Sequence, residues 1–446
     1  MNERRQMHLG VYAVGTGNHV SGWRVPGASK SGEDFSIFKE IAVSCEKGKL
    51  DFLFVGDSLA FVADRHPGQM LRLEPLTLHA CLAACTSKVG LVATASTTYS
   101  APYNLARMFA SLDVLSGGRA GWNVVTTGTP EVADNFGDAG QLSHSVRYEA
   151  AKEFVEVVKG LWDSWEEGAR VANVDTGEYY DKTKVHTLNH KGKFYSVRGP
   201  LNLMRTPQGQ PVIAQAGASD DGQEFAAQVA EMIFAVQLEK EHSQAYYKKF
   251  KEKVAACGRD PDHCKILPGL MPIVGRDDEE AQQKLSDLMT YVDPAVAMKT
   301  MSSRFGHDMS RFDLDGPVPD LPLSNAIQSF AKVAYEKGRK HKLRLRDIYN
   351  QIGVARGYLV ACGGPASVAD IMEEWFHDRA ADGFVLIPPY FPGAFDEFID
   401  LVIPELQSRG IFRREYTGNT LRDHLGLPIP VNRHSTAPSL RPQPDR

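Results

Sequence analysis

The chain has 446 residues, 43% of them hydrophobic and 24% charged, with a formal net charge of -5. That is ordinary soluble composition, long enough for one large domain or a few smaller ones. The mild acidity gives no pull toward nucleic acid, and no apolar run reaches the roughly 18 residues of a membrane span. The first residues do not read as a signal peptide, so a cytoplasmic protein without nucleic-acid or membrane partners is expected.

Met7–Val14 reads as the first strand. Ile37–Lys47 reads as a helix, with Gly48 as its C-cap. Asp51–Asp57 is a buried strand that ends in an acid. Pro75–Cys85 is helical, Pro75 suiting the first helical position. Val89–Thr94 is a third strand, Asn104–Leu115 a helix and Arg119–Thr126 a fourth strand. Val146–Trp165 is a long amphipathic helix. Strands at Pro211–Ala216, Met232–Val236, Lys265–Val274 and Gly383–Ile387 follow, each succeeded by a helical pattern, the last being Ala394–Ser408.

Near-continuous apolar strands between helices indicate a parallel sheet covered on both faces. Eight of them indicate an α/β fold of the closed kind, a (β/α)8 TIM barrel, here one domain over residues 1–428. Two insertions interrupt it. The one near 166–210 carries a hairpin strand at His190–Val197, and the one near 297–345 is Pro-rich, then basic. A weakly structured segment that long reads as a lid or a disordered stretch. Residues 429–446 read as a tail that is disordered or wrapped on a neighbouring chain.

Polar residues at strand ends are where such barrels place their chemistry. Asp57 closes the second strand and Thr94 the third, and Asn123 stands inside the fourth. His144, Arg147 and Tyr148 open a helix with spacings that put them near one face. Gly217–Gly222 follows a strand and opens a helix, so Ser219 is either a phosphate ligand or an ordinary N-cap. His19 and His307 stand in loops, as candidate bases or as packing residues. Gly15-Thr16-Gly17 begins like a dinucleotide fingerprint, but Val20 occupies the third glycine's place. The six cysteines form no CxxC pair; Cys81 and Cys85 share a helix face and read as small buried hydrophobes, and no metal site is expected. Metal, nucleotide and serine hydrolysis have no motif here.

Several segments in order, among them Glu46–Asp57, Ser116–Thr127, Asn135–Gly137, His144–Tyr148, Leu161–Trp165, Val197–Leu201, Gln215–Ser219, Ala381–Phe384 and Gly418–Arg422, carry a resemblance. The chain resembles the nitrilotriacetate and dibenzothiophene-sulfone monooxygenases of the bacterial-luciferase-like superfamily. The resemblance implies a barrel that binds FMN as FMNH2, delivered by a separate NAD(P)H-dependent flavin reductase, with O2 as co-substrate. It implies a flavin C4a-(hydro)peroxide that oxidises a small organic substrate and cleaves a C–S, C–N or C–halogen bond. It assigns FMN binding to Asp57, Thr94, His144, Tyr148, Ala218 and Ser219, the last two and Tyr148 at the phosphate, Asp57 and Thr94 at the ring, with Asn123 as a further ring-side candidate. A homodimer or homotetramer is expected.

Some relatives carry a histidine after the fourth strand, where Thr127-Gly128-Thr129 stands here, and another near the place of Arg304. The relatives' base assignments therefore do not carry over, and His19 and His307 stand only as candidate bases. Arg304 and Arg311, if they face the pocket, favour an acidic substrate. Two other readings compete: a deazaflavin-dependent oxidoreductase of the same superfamily, and a non-catalytic flavin-binding protein.

Overall fold

The structure is a computed structural model that describes residues 5–63, 66–128, 130–137, 143–217, 219–322 and 328–435. Its centre is a ring of parallel strands: β1 (His8–Tyr12), β2 (Phe52–Val55), β3 (Gly90–Ser96), β4 (Ala120–Val125), β5 (Val212–Gln215), β6 (Met232–Ala235) and β7 (Lys265–Val274). After β8 (Leu359–Gly363), the ring closes through β9 (Gly383–Leu386), which pairs with β7 on one side and with β1 on the other. The eight strands expected from the sequence make this closed barrel.

Strand β8 is additional. It lies along the C-terminal half of β7, where Leu270 pairs with Leu359 on one edge and with Leu386 on the other. A strand has only two edges, so β8 takes over the edge that β6 holds lower down, where Met232 pairs with Lys265.

Alternation along each strand sorts the side chains. Tyr12, Phe54, Val92, Ala214, Met232 and Val385 fill the barrel interior. Outward-facing Trp122 packs with Phe109, Phe154 and Trp162 from the covering helices. The interior is sealed at the N-terminal ends of the strands by the helix Leu421–Leu425. Leu421, Leu425 and Leu427 belong to the same buried cluster as the inward strand residues.

Glycine makes room for this plug. A Cβ on Gly90 would come within 2.5 Å of the Leu421 side chain, and one on Gly121 within 3.2 Å. Thr420 and Asp423 cap the helix reciprocally. Gly118, at φ +93, accepts a hydrogen bond from Leu421 N, and a side chain there would strike Thr420. Arg119 beside it is buried and donates to Ser116 O, Val89 O, Ala83 O and Thr86. The Gly117-Gly118-Arg119 run is therefore a structural corner under the barrel.

Both insertions differ from a loose loop. The region near 190–197 is a hairpin of two short antiparallel strands, His190–Lys191 and Ser196–Val197, rather than one strand. The segment expected to be weakly structured contains the helices Pro294–Phe305 and Gln328–His341 and continues into Leu345–Ala355. These share a core of their own, including Met301, Phe305, Met309, Leu345 and Ile352. The Pro-rich composition concealed it, since the helices lie on either side of the prolines. The helix expected at Ala394–Ser408 runs without interruption from Gly393 to Ser408, widened to a π turn at Phe398–Val402.

Chain beyond residue 428 docks as far as Ser435: Asn432 Nδ2 donates to Asp163 O and Trp165 O, and Arg433 pairs with Asp163. Residues 436–446 lie outside the described residues. Cys81 is exposed on the helix Pro75–Ala83, and half-buried Cys85 lies beyond the end of that helix, so the two share no helix face.

The plug is tied to the barrel by an ion pair. Arg422, 1% exposed, places Nη1 and Nη2 at 2.7 and 3.0 Å from the two Glu231 oxygens, and donates to Gln210 O and Pro428 O. Removing one partner strands the other's charge at a buried site. Arg422→Met is expected to lower the unfolding free energy by about 3 kcal/mol or more. Urea denaturation checks it, and a loss below about 1 kcal/mol would contradict the assignment.

Candidate functional site at the barrel mouth

A pocket opens at the C-terminal ends of β1 to β4, lined by Tyr12, Asp57, Arg72, Thr94, Ser96 and Thr127 among others. Registry explains why these meet. Thr94 on β3 stands opposite Asn123 on β4, and Asn123 opposite Ala214 on β5. At that level the Thr94 hydroxyl donates to Val55 O (2.9 Å) and accepts from Asn123 Nδ2 (2.9 Å). Asn123 thus fixes the rotamer of Thr94 and is not itself part of the pocket wall.

Asp57 Oδ1 accepts from Ser58 N at 2.7 Å, and burial lifts its carboxyl above the usual range. Arg72 donates Nη1 to Gly56 O and Nη2 to Gln69 O, while its buried Nε has no partner among the described residues. A buried donor left unpaired is costly, so the wall is short of one acceptor.

A second polar cluster lies where the helix His144–Trp162 meets the helix Asp220–Val229. Ser219 is the N-cap of the latter, its hydroxyl accepting from Gly222 N at 3.1 Å. His144 Nδ1 and Asp221 Oδ2 are 2.9 Å apart, which ties the start of one helix to the first turn of the other. The Tyr148 ring packs between His144 (5.0 Å) and Phe225 (5.9 Å). Gly222 is the centre of the cluster. A Cβ there would lie 2.9 Å from the Tyr148 hydroxyl and 3.0 Å from Ser219 Oγ. Two hydroxyls and the exposed N–H groups of a helix start therefore face one small space.

The two clusters join over the end of β4. Thr127 lines the pocket, and the next residue, Gly128, lies against the Arg147 guanidinium, one position before Tyr148.

Among the sequence candidates, Asp57 and Thr94 line the pocket, Asn123 supports Thr94, and His144, Tyr148 and Ser219 form the second cluster. Ala218 lies outside the described residues. Neither histidine proposed as a base lines the pocket. His19 is fully buried, with Nδ1 accepting from Ser21 N. His307 is held outside by a 2.7 Å contact of Nε2 with Pro322 O. Arg311 pairs with Asp308 on the exposed side of the insertion. Sequence reasoning missed Tyr12 and Ser96, whose positions at strand ends were a usable signal. It also missed Arg72, which a loop delivers without any motif. Among the described residues no cluster of His, Cys, Asp and Glu could hold a metal, and no helix is long and apolar enough to cross a membrane.

Comparison with known proteins fits this geometry. The family model described as luciferase-like monooxygenase matches residues 16–383. N-acetyl-S-(2-succino)cysteine monooxygenase of Bacillus subtilis (strain 168) is 48% identical over 438 residues, covering 97% of this chain and 99% of its own. Nitrilotriacetate monooxygenase component A of Aminobacter aminovorans is 42% identical over 447 residues, covering 97% and 99%. The crystal structure of riboflavin lyase with modified FMN and riboflavin superposes with a TM-score of 0.82 at 32% identity, covering 94% of this chain and 96% of that one.

Beside the pocket, three histidines are buried as neutral rings. Burial pulls His66 down to about 3, and His19 and His79 to about 4, from an ordinary 6.5. His66 is fully used: Nδ1 accepts from Gly68 N, and Nε2 donates to His19 O. On acidification the unfolded chain takes up protons on these rings before the folded chain does. Their contribution is complete above the unfolded value and is lost as pH falls toward the folded one. Stability is therefore expected to drop between about pH 6.5 and 4, and His66→Gln to flatten that slope by about 1.4 kcal/mol per pH unit. Urea unfolding across that range checks it; an unchanged slope would contradict it.

Proposed function

The chain belongs to the luciferase-like monooxygenase family, and from that premise we propose that it is the oxygenase of a two-component system that uses FMNH2 made by a separate NAD(P)H-dependent flavin reductase. The convergence of the Tyr148 and Ser219 hydroxyls on Gly222 carries this reading. It offers a phosphate the two hydroxyls and the helix-start N–H groups at a place where the backbone has no side chain to obstruct it. The orphaned Arg72 Nε at the other end suits an electron-rich acceptor such as a flavin carbonyl.

In this assignment Ser219 and Tyr148 hold the phosphate, with His144 holding Asp221 by a hydrogen bond beside it. Asp57, Arg72 and Thr94 hold the ring, and Asn123 keeps the Thr94 hydroxyl in place. Bound reduced flavin supplies two electrons to O2, so that one oxygen atom enters the substrate and the other leaves as water. The residues bind and orient the cofactor, and the helical insertion above the mouth helps to exclude water. The named substrates of the two relatives, a thioether and a tertiary amine, support cleavage at a carbon–heteroatom bond. We place the enzyme in the cytoplasm, as a homo-oligomer, where a soluble reductase can reach it.

The test is oxygen consumption coupled to loss of N-acetyl-S-(2-succino)cysteine or nitrilotriacetate. Loss is expected only with a flavin reductase, FMN and NAD(P)H together. Ser219→Asp is expected to weaken FMNH2 binding by roughly tenfold or more, through repulsion of the phosphate. Substrate loss without reductant, or unchanged flavin affinity in the variant, would overturn the proposal.

A further inference from the structure

The aromatic floor of the mouth extends beyond the pocket. Tyr12, which lines the pocket, stacks on Phe54 at 5.1 Å and meets Phe234 at 6.1 Å, and Phe234 stacks on Tyr358 at 5.7 Å and 10°. The Arg304 guanidinium lies over Tyr358, 5.8 Å from the ring centre. It comes from the last turn of the helix Pro294–Phe305 in the insertion.

A second guanidinium stands within electrostatic reach of the first. Arg356 is 7% exposed, and its Nη1 donates to Asn18 Oδ1 at 3.3 Å. Asn18 in turn donates to Tyr12 O and Pro388 O, which places Arg356 over the ends of β1 and β9. Among the described residues Arg356 has a neutral amide partner and no ion pair.

Its backbone adds a second observation. Arg356 ends the helix Leu345–Ala355 at φ +53, in the left-handed region that favours glycine, and Gly357 follows at φ +80. A residue with a side chain is strained in that conformation. A cation at a helix C-terminus is favourable, but that benefit needs neither burial nor a position over the barrel mouth. Burying a cation on a neutral partner beside another cation is unfavourable until an anion arrives.

We propose that Arg304 and Arg356 form an anion subsite at the β1/β9 side of the mouth, which binds a carboxylate group of the substrate. The two guanidiniums present paired N–H donors suited to a planar carboxylate, while the aromatic floor carries the uncharged part of the molecule toward the flavin pocket. The proposal rests on the oxygenase reading and names the substrate class for that site: small organic acids.

The experiment is calorimetric binding of 2-(methylthio)butanedioate, and of its dimethyl ester, to the full chain in the presence of FMN. The diacid is expected to bind and the ester to bind far more weakly. Arg356→Gln and Arg304→Gln are each expected to weaken the diacid by roughly 10- to 100-fold, and Arg356→Lys by less. FMN affinity, measured on the same samples, is expected to stay the same. Absence of diacid binding, equal binding of the ester, or an Arg304→Gln affinity within about twofold of the parent would overturn the subsite. If Arg356→Gln fails to fold, Arg304→Gln alone decides. Loss of FMN binding by the parent chain would count against the oxygenase reading and leave the carboxylate result to be read separately.

Discussion

The barrel can keep a polar mouth because its other end is sealed. Leu421, Leu425 and Leu427 fill the base of the ring and complete the apolar interior that the inward strand residues begin. Without the plug, water would reach Val92, Val212 and Met232 from below, and the lost burial would be worth about 25 cal/mol for each Å² exposed. The seal depends on two absent side chains, at Gly90 and Gly121, and on the Arg422–Glu231 pair that locks the plug helix to the ring.

Above this seal, one level of the barrel changes from apolar to polar. The inward row formed by Thr94, Asn123 and their neighbours marks the change. Each polar group there is oriented by a strand or by another side chain, so the site is stiff where the cofactor ring would rest. Binding groups are spread over consecutive strands and the loops after them, from Asp57 behind β2 to Ser219 behind β5. The insertion adds what the barrel lacks, an arginine delivered from above onto Tyr358. Its independent hydrophobic core lets that residue be placed without distorting the ring.

Much of this was legible in the sequence, for physical reasons. Buried parallel strands are continuous apolar runs, so eight of the nine stood out; Leu359–Gly363 did not, since it is only partly buried and its run of apolar residues ends in Cys362 and Gly363. Asp57 and Thr94 were visible because they break such runs at the ends. Ser219 was visible as a cap, and capping is what its hydroxyl does in the structure. Arg72 was not visible, because a loop arginine has no periodicity, and Arg356 was not, because the burial of a side chain at a helix end depends on distant chain. His19 and His307 looked catalytic only as isolated loop histidines; neither lines the pocket, His19 being buried with Nδ1 on Ser21 N and His307 held by Pro322 O. The insertion was misread because prolines at 317, 319 and 322 dominate its composition, while its helices lie to either side.

The central claim is that one flavin spans the two polar clusters, with its phosphate at Gly222. A crystal structure of the FMN complex tests it most directly. The phosphate is expected within hydrogen-bonding distance of Ser219 Oγ and the Tyr148 hydroxyl, with the ring against Thr94 and Arg72. A phosphate bound at any other strand end, with Gly222 left bare, would contradict it.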